Sequence, residues 1–594
     1  MSKSLKVGAA LSGALLIVLG GCGQSPPPTP QPKPPSQASQ DWARLTEGFI
    51  KDYFVAQPFF AAQSGKHEYD GELADLSEHG IKREIARLKD GRSQIEAVDP
   101  KTLEPREQFD REYLLAVIDK DLFWMDTMSW PFKNPAWYTD RIDPDMYLNR
   151  NYAPLDVRMK AYIKYARGIP KMAENIKANL KGPLPKTYVE LAIAQYGGLA
   201  EHYTKNVAPV FAGVSDPGLQ KDLNDANTAA AAAMNGLKDA MIALRKTAND
   251  NFAIGADAYA KMLSQTERVT TPLDQIEAAG KADLERNTAA VKAECETYLP
   301  KGSLQQCIGK MEANKPKEGM VEWARQQLPM LKDFVAKNNI VSIPSNEEAL
   351  VMEAPPYNRS NAAFIQVPGP YDHNVASVFN IAPPDPKWTK AEQAEYIRGQ
   401  AVLLFTAVHE VWPGHFLQFL HSNANPDKLE GIWVGYAFAE GWAHYAEEMM
   451  VEEGIAQGDP ERHLGQLTDA LLRDVRLLSS IGLHTHGMTV AESEKMFREQ
   501  AFQDPGNARQ QAARGTYDPA YLNYTLGKLM IRKLRADWIA KQGGASAAGG
   551  SGGPGADASG KPKWHDFHDK FLSFGGPPIP LVRKQMMGDD SPAL

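Results

Sequence analysis

Residues 401–421, AVLLFTAVHEVWPGHFLQFLH, constrain this chain more than any other stretch. Apolar side chains fill almost every position at helical spacing, which predicts a helix inside the protein. That helix nevertheless carries His409, Glu410 and His415. Taken singly, each histidine reads as a satisfied helix residue and Glu410 as a solvated charge. Together in an apolar run they imply a shared purpose, because an unpaired polar group there costs free energy.

Spacing sharpens that purpose. In a His-Glu-x-x-His helix of a zinc peptidase the second imidazole falls within roughly 40° of the first, so both face one metal. Here the second histidine is six positions on, about 240° round an ideal helix. Pro413 has no amide proton and its ring clashes with the carbonyl of residue 409, while Gly414 tolerates unusual dihedrals. The two predict a bulge that returns His415 to the face of His409.

A catalytic zinc commonly takes three protein ligands and leaves one position for water. Glu440, in GYAFAEGWAHYAEEMM, is the expected third ligand, offered from a second helix. His444 is an alternative ligand or a support, and Glu447 is placed to hold a ligating imidazole. Glu410, beside the first ligand, is expected to act as general base on a water that the cation has made more acidic, without binding the metal itself.

The rest of the chain bounds the setting. At 594 residues it is long enough for up to about four ordinary domains. Its 43% hydrophobic and 23% charged content excludes wholesale disorder and fibres. A net charge of −8 argues against nucleic acid as a partner. Beyond residue 20 no apolar stretch is long enough to span a bilayer, which excludes a polytopic transporter. The N-terminus has Lys3 and Lys6, an apolar run over residues 7–19, and then Leu19-Gly20-Gly21-Cys22, the layout of a bacterial lipoprotein signal. Cys22 is the expected lipidation site, with a plain signal peptide and an incidental cysteine as the alternative, and with lipidation come a membrane anchor and a place in the cell envelope, facing the periplasm or the exterior. Having no immediate Asp after Cys22 favours the outer membrane. Cys295 and Cys307 invite a disulfide in an exported protein, with two free buried thiols as the alternative.

Residues 23–40, rich in Pro, Gln and Ser, read as a tether, with folding expected from Asp41 onward. A helical part is expected over about 41–335. A small sheet and the metal-binding helices follow over about 336–590. The Gly/Ser-rich stretch 543–562 is expected as a surface loop. The fold class is therefore mainly α, with a small β-sheet near the active-site cleft.

HEVWPGHFLQ followed by EGWAHYAEE resembles the bacterial family called domain of unknown function 885, which is related to the gluzincin metallopeptidases. The likeness runs over about residues 45–590, from PFFAAQSGKHEYDGELADLS through GLHTHGMT and YLNYTLGKLMIRKLR to FHDKFLSFGG. It implies one large, mainly helical catalytic unit with a deep cleft, and one zinc ion on His409, His415 and Glu440 with Glu410 as base. Two departures stand out: Ser480 where an acidic residue is expected just before Gly482, and the Gly/Ser insert near residue 550.

Peptide hydrolysis passes through an oxyanion that needs a donor besides the metal. Tyr524 and His484 are the candidates, with packing and helix-capping roles as the alternatives. Arg473, Arg476 and Arg514 are candidates for a substrate carboxylate, or equally for ion pairs. Residues 374–381 are expected as an edge strand that pairs with an extended peptide. A zinc-dependent peptidase acting on short or unfolded peptides follows. A non-catalytic peptide- or metal-binding lipoprotein, and a zinc hydrolase of another amide or ester, are the alternatives.

Overall fold

The computed structural model describes residues 35–359, 362–542 and 564–594. The signal segment, Cys22, most of the tether and the Gly/Ser-rich stretch lie outside the described residues. The described chain is mainly helical with one small sheet, the expected class. Its first helix, Gln37–Ala56, begins ahead of Asp41, inside the stretch expected as tether. Ser36 accounts for the early start, since its side chain accepts from the Ser39 amide at 3.0 Å and caps the helix.

Helix Pro217–Leu244 packs against both Leu155–Asn179 and Lys186–Lys205. In Leu155–Asn179, Met159, Tyr162, Ile163, Ala166, Ile169, Ala173 and Ile176 are buried, the i, i+3, i+4 stripe of an amphipathic helix. These helices and the earlier ones enclose one apolar core, which Tyr357, Leu429, Ile432 and Trp433 rejoin from later in the chain. From Tyr259 onward the chain builds a second core, which Phe123 joins from earlier in the chain and which has Phe405, Trp412, Phe438, Trp442 and Phe571 among its large members. The change from one core to the other thus falls within the helical part, well before the first strand.

The sheet has three strands among the described residues: β1 (Ala349–Glu353), β2 (Ala363–Gln366) and β3 (Ser377–Ile381), in the order β1-β3-β2. β3 runs parallel to β1 and antiparallel to β2, with Phe379 opposite both Val351 and Ile365. The expected edge strand over 374–381 is therefore the central strand. Both of its hydrogen-bonding edges are taken, and every residue in it is buried, so it cannot pair with a peptide.

Helix Pro460–Thr485 is the axis of the second half, buried on all faces from Leu464 to His484. Helices Leu273–Tyr298, Gln400–Glu410 and Asn523–Lys541 lie against it. Burial on every side obliges its polar residues to find partners. Asp474 accepts from Asn287 Nδ2 at 2.7 Å and from Thr525 Oγ1 at 3.1 Å. Ser480 donates to the Pro519 carbonyl at 2.7 Å, so the residue that departs from the family pattern has a structural partner here. Cys295 and Cys307 are joined as a disulfide with Cα atoms 5.8 Å apart, which ties the end of Leu273–Tyr298 to Leu304–Ala313. No helix among the described residues is long and apolar enough to cross a membrane.

Candidate metal centre

The expected bulged helix is two helices. Gln400–Glu410 ends at the base candidate, and His415–Ala424 begins at the second histidine. Between them the Gly414 amide reaches back to the Val408 carbonyl at 3.0 Å. A Cβ on Gly414 would lie 1.8 Å from the His409 carbonyl oxygen, so only glycine fits. Trp442 Nε1 donates to the Pro413 carbonyl at 2.9 Å and pins the break to the neighbouring helix Tyr436–Glu452.

This break brings the two imidazoles together, with ring centroids 4.8 Å apart and planes at 85°. Glu440 Oε2 lies 3.2 Å from Nε2 of His409 and 3.2 Å from Nε2 of His415. The three residues form a group whose ligand atoms all lie within 4.8 Å of one another. Zinc ligands at about 2.1 Å in a tetrahedron stand about 3.4 Å apart, so the donor set and its spacing fit that ion.

Behind this group, His409 Nδ1 donates to Glu447 Oε1 at 2.6 Å, which leaves Nε2 to face Glu440. Arg473 Nη2 lies 2.9 Å from the same Glu447 oxygen, and Arg473 also faces Asp469 at 3.7 Å. Glu447 is fully buried, as is His444, whose Nδ1 lies 3.4 Å from Glu447 Oε2. His444 thus stands behind the centre and does not join the ligand group. Arg473 is engaged by two carboxylates, which is the ion-pair role.

Charge in the cluster is balanced tightly. Burial works against the Glu440 carboxylate, but the neighbouring His415 and His409 outweigh it and hold it well below the usual range. Burial and Arg473 oppose charge on His409, yet hydrogen bonds to Glu440 and Glu447 push it up to about 9. Glu410 is raised, first by burial, and its Oε2 is enclosed without a hydrogen-bond partner.

Tyr524 joins this group. Its ring stacks near His409 at 6.0 Å and 17°, and burial together with Glu440 raises its pKa. Its position is set by glycines: a Cβ on Gly441 would lie 2.5 Å from Gly527 Cα, so Tyr436–Glu452 and Asn523–Lys541 touch backbone to backbone. Three guanidinium groups surround the Tyr524 ring, Arg476 at 4.5 Å, Arg514 at 5.8 Å and Arg473 at 5.9 Å. Arg514 pairs with Asp518 at 3.0 Å and donates to Tyr436 Oη at 2.8 Å.

His484 does not belong to the centre. It lies further along the same helix as Arg473, roughly 16 Å down the axis. There its Nε2 donates to the Gly515 carbonyl at 2.7 Å, and its ring meets Phe252 and Tyr259. Its role is structural. Sequence alone does not single out Trp442, Asp469 or Gln511, because each acts through a contact between helices that local spacing does not reveal.

The family model described as bacterial protein of unknown function (DUF885) matches residues 58–586. Solved structures with the same fold include a candidate lipoprotein of unknown function from Shewanella oneidensis, at 24% identity and a TM-score of 0.71, covering 92% of this chain and 99% of that one. A second, a candidate lipoprotein from Colwellia psychrerythraea, is 16% identical with a TM-score of 0.74, covering 93% of this chain and 99% of that one. No curated protein matches the chain.

Proposed function

The chain belongs to the DUF885 family of bacterial proteins, and from that premise we propose that it is a zinc-dependent peptidase of the gluzincin kind, anchored to the cell envelope through Cys22. The observation that carries this reading is the convergence of His409, His415 and Glu440 beside a buried Glu410.

His409, His415 and Glu440 would hold the ion. Bound there, zinc supplies Lewis acidity, which makes water a better nucleophile and polarises a carbonyl. Glu410 takes the proton from water and passes it to the leaving amine. Glu447 fixes the tautomer and orientation of His409, and Arg473 holds Glu447 in place. The Tyr524 hydroxyl donates to the oxyanion. Short or unfolded peptides are the expected substrates.

The test is metal analysis of the purified protein together with digestion of a peptide library by wild type and Glu410→Gln. One zinc per chain, and cleavage that falls by about a hundredfold or more in the variant, supports the reading. Equal cleavage by the two proteins removes the proposed base.

A further inference from the structure

Of the three arginines around Tyr524, one has no acidic partner. Arg473 faces Glu447 and Asp469, and Arg514 faces Asp518. Arg476 is 8% exposed, and its one hydrogen bond among the described residues runs from Nε to Gln511 Oε1 at 2.8 Å, a neutral acceptor. No carboxylate lies within ion-pair distance of it among the described residues.

A buried guanidinium without a counter-ion is costly. Gln511 cannot supply the charge, and its own amide donates onward to Asn507 Oδ1 at 3.1 Å. The Tyr524 ring neighbours both groups, 4.5 Å from the Arg476 guanidinium and 6.0 Å from the His409 imidazole. Arg476 thus stands one aromatic side chain away from His409 with no carboxylate on its two Nη groups, and a carboxylate matches such a guanidinium.

We propose that Arg476 binds the terminal carboxylate of a peptide substrate, making the centre one that removes one or two residues from C-terminal ends. The inference rests on the peptidase reading. Two extended residues span roughly 7 Å, so an anion at Arg476 belongs to a residue one or two positions beyond the bond at the metal.

The experiment uses the zinc-loaded full chain with a mixed pentapeptide library, offered with free C-termini and as C-terminal amides. Cleavage is measured with wild type, and binding with Glu410→Gln. The expected result is a preference for the acid library on the order of tenfold or more in both assays. Arg476→Gln is expected to abolish that preference, and Arg476→Lys, which keeps the charge but not the fork, to restore part of it. Zinc content and thermal midpoint establish that the variants are folded. Equal handling of acid and amide by wild type overturns the carboxylate role while leaving a peptidase. Preferential binding of acids without cleavage overturns the peptidase reading and retains the role of Arg476. Neither binding nor cleavage overturns both.

Discussion

Glu447 Oε1 lies 2.6 Å from His409 Nδ1, with both groups buried. A carboxylate behind a ligating imidazole raises its basicity and fixes its ring, and losing it typically weakens metal binding about 10–100-fold. Glu447→Gln is therefore expected to lose zinc affinity by that factor, measured by competition with a chromophoric chelator. Unchanged affinity would leave Glu447 a purely structural partner of Arg473.

Gly414→Ala places a Cβ where the His409 carbonyl oxygen stands. Relief requires the break to open, which moves His415 away from His409. The expected outcome is a stability loss of roughly 1–3 kcal/mol or more in urea, together with a drop in bound zinc. Full zinc occupancy in this variant would show that the break has room to adjust.

Lys528 is fully buried, with Nζ 2.5 Å from Asp283 and 3.5 Å from Glu448. Removing one partner of such a network leaves charges unpaired in the interior. Lys528→Met is expected to destabilise the fold by about 3–5 kcal/mol in chemical denaturation. A loss below about 1 kcal/mol would place this network among weakly contributing ion pairs.

Burial holds His484 down to about 4 and His568 down to about 3, so both are neutral in the folded protein. In the unfolded chain a histidine titrates near about 6.5. Below that pH the unfolded state binds more protons, so folding stability falls as pH drops from about 6.5 toward 4. His484→Asn is expected to remove one histidine's share of this slope, up to about 3 kcal/mol across the window. Urea midpoints taken from about pH 7.5 to 4.5 measure it, and an unchanged slope would count against the assignment.

The centre was legible because its residues lie in apolar surroundings where polar side chains need a reason. The i+6 spacing with Pro413 and Gly414 pointed to a distorted turn, and the outcome is a full break, since Gly414 must approach the His409 carbonyl more closely than a helix permits. His484 was misplaced because its motif says nothing about which helix covers it, and Gly515 supplies the partner from far along the chain. The strand order β1-β3-β2 was likewise illegible, because short strands of similar composition carry no mark of which one lies in the middle.

The contact between Gly441 and Gly527 leaves no side chain to act as a cushion between their helices. The span from Glu440 to Tyr524 is accordingly set by peptide dimensions, which do not relax as rotamers do. A site gauged in this way has a fixed aperture, and its tolerance for bulky ligands must come from the chain segments opposite, not from any yielding of these two helices.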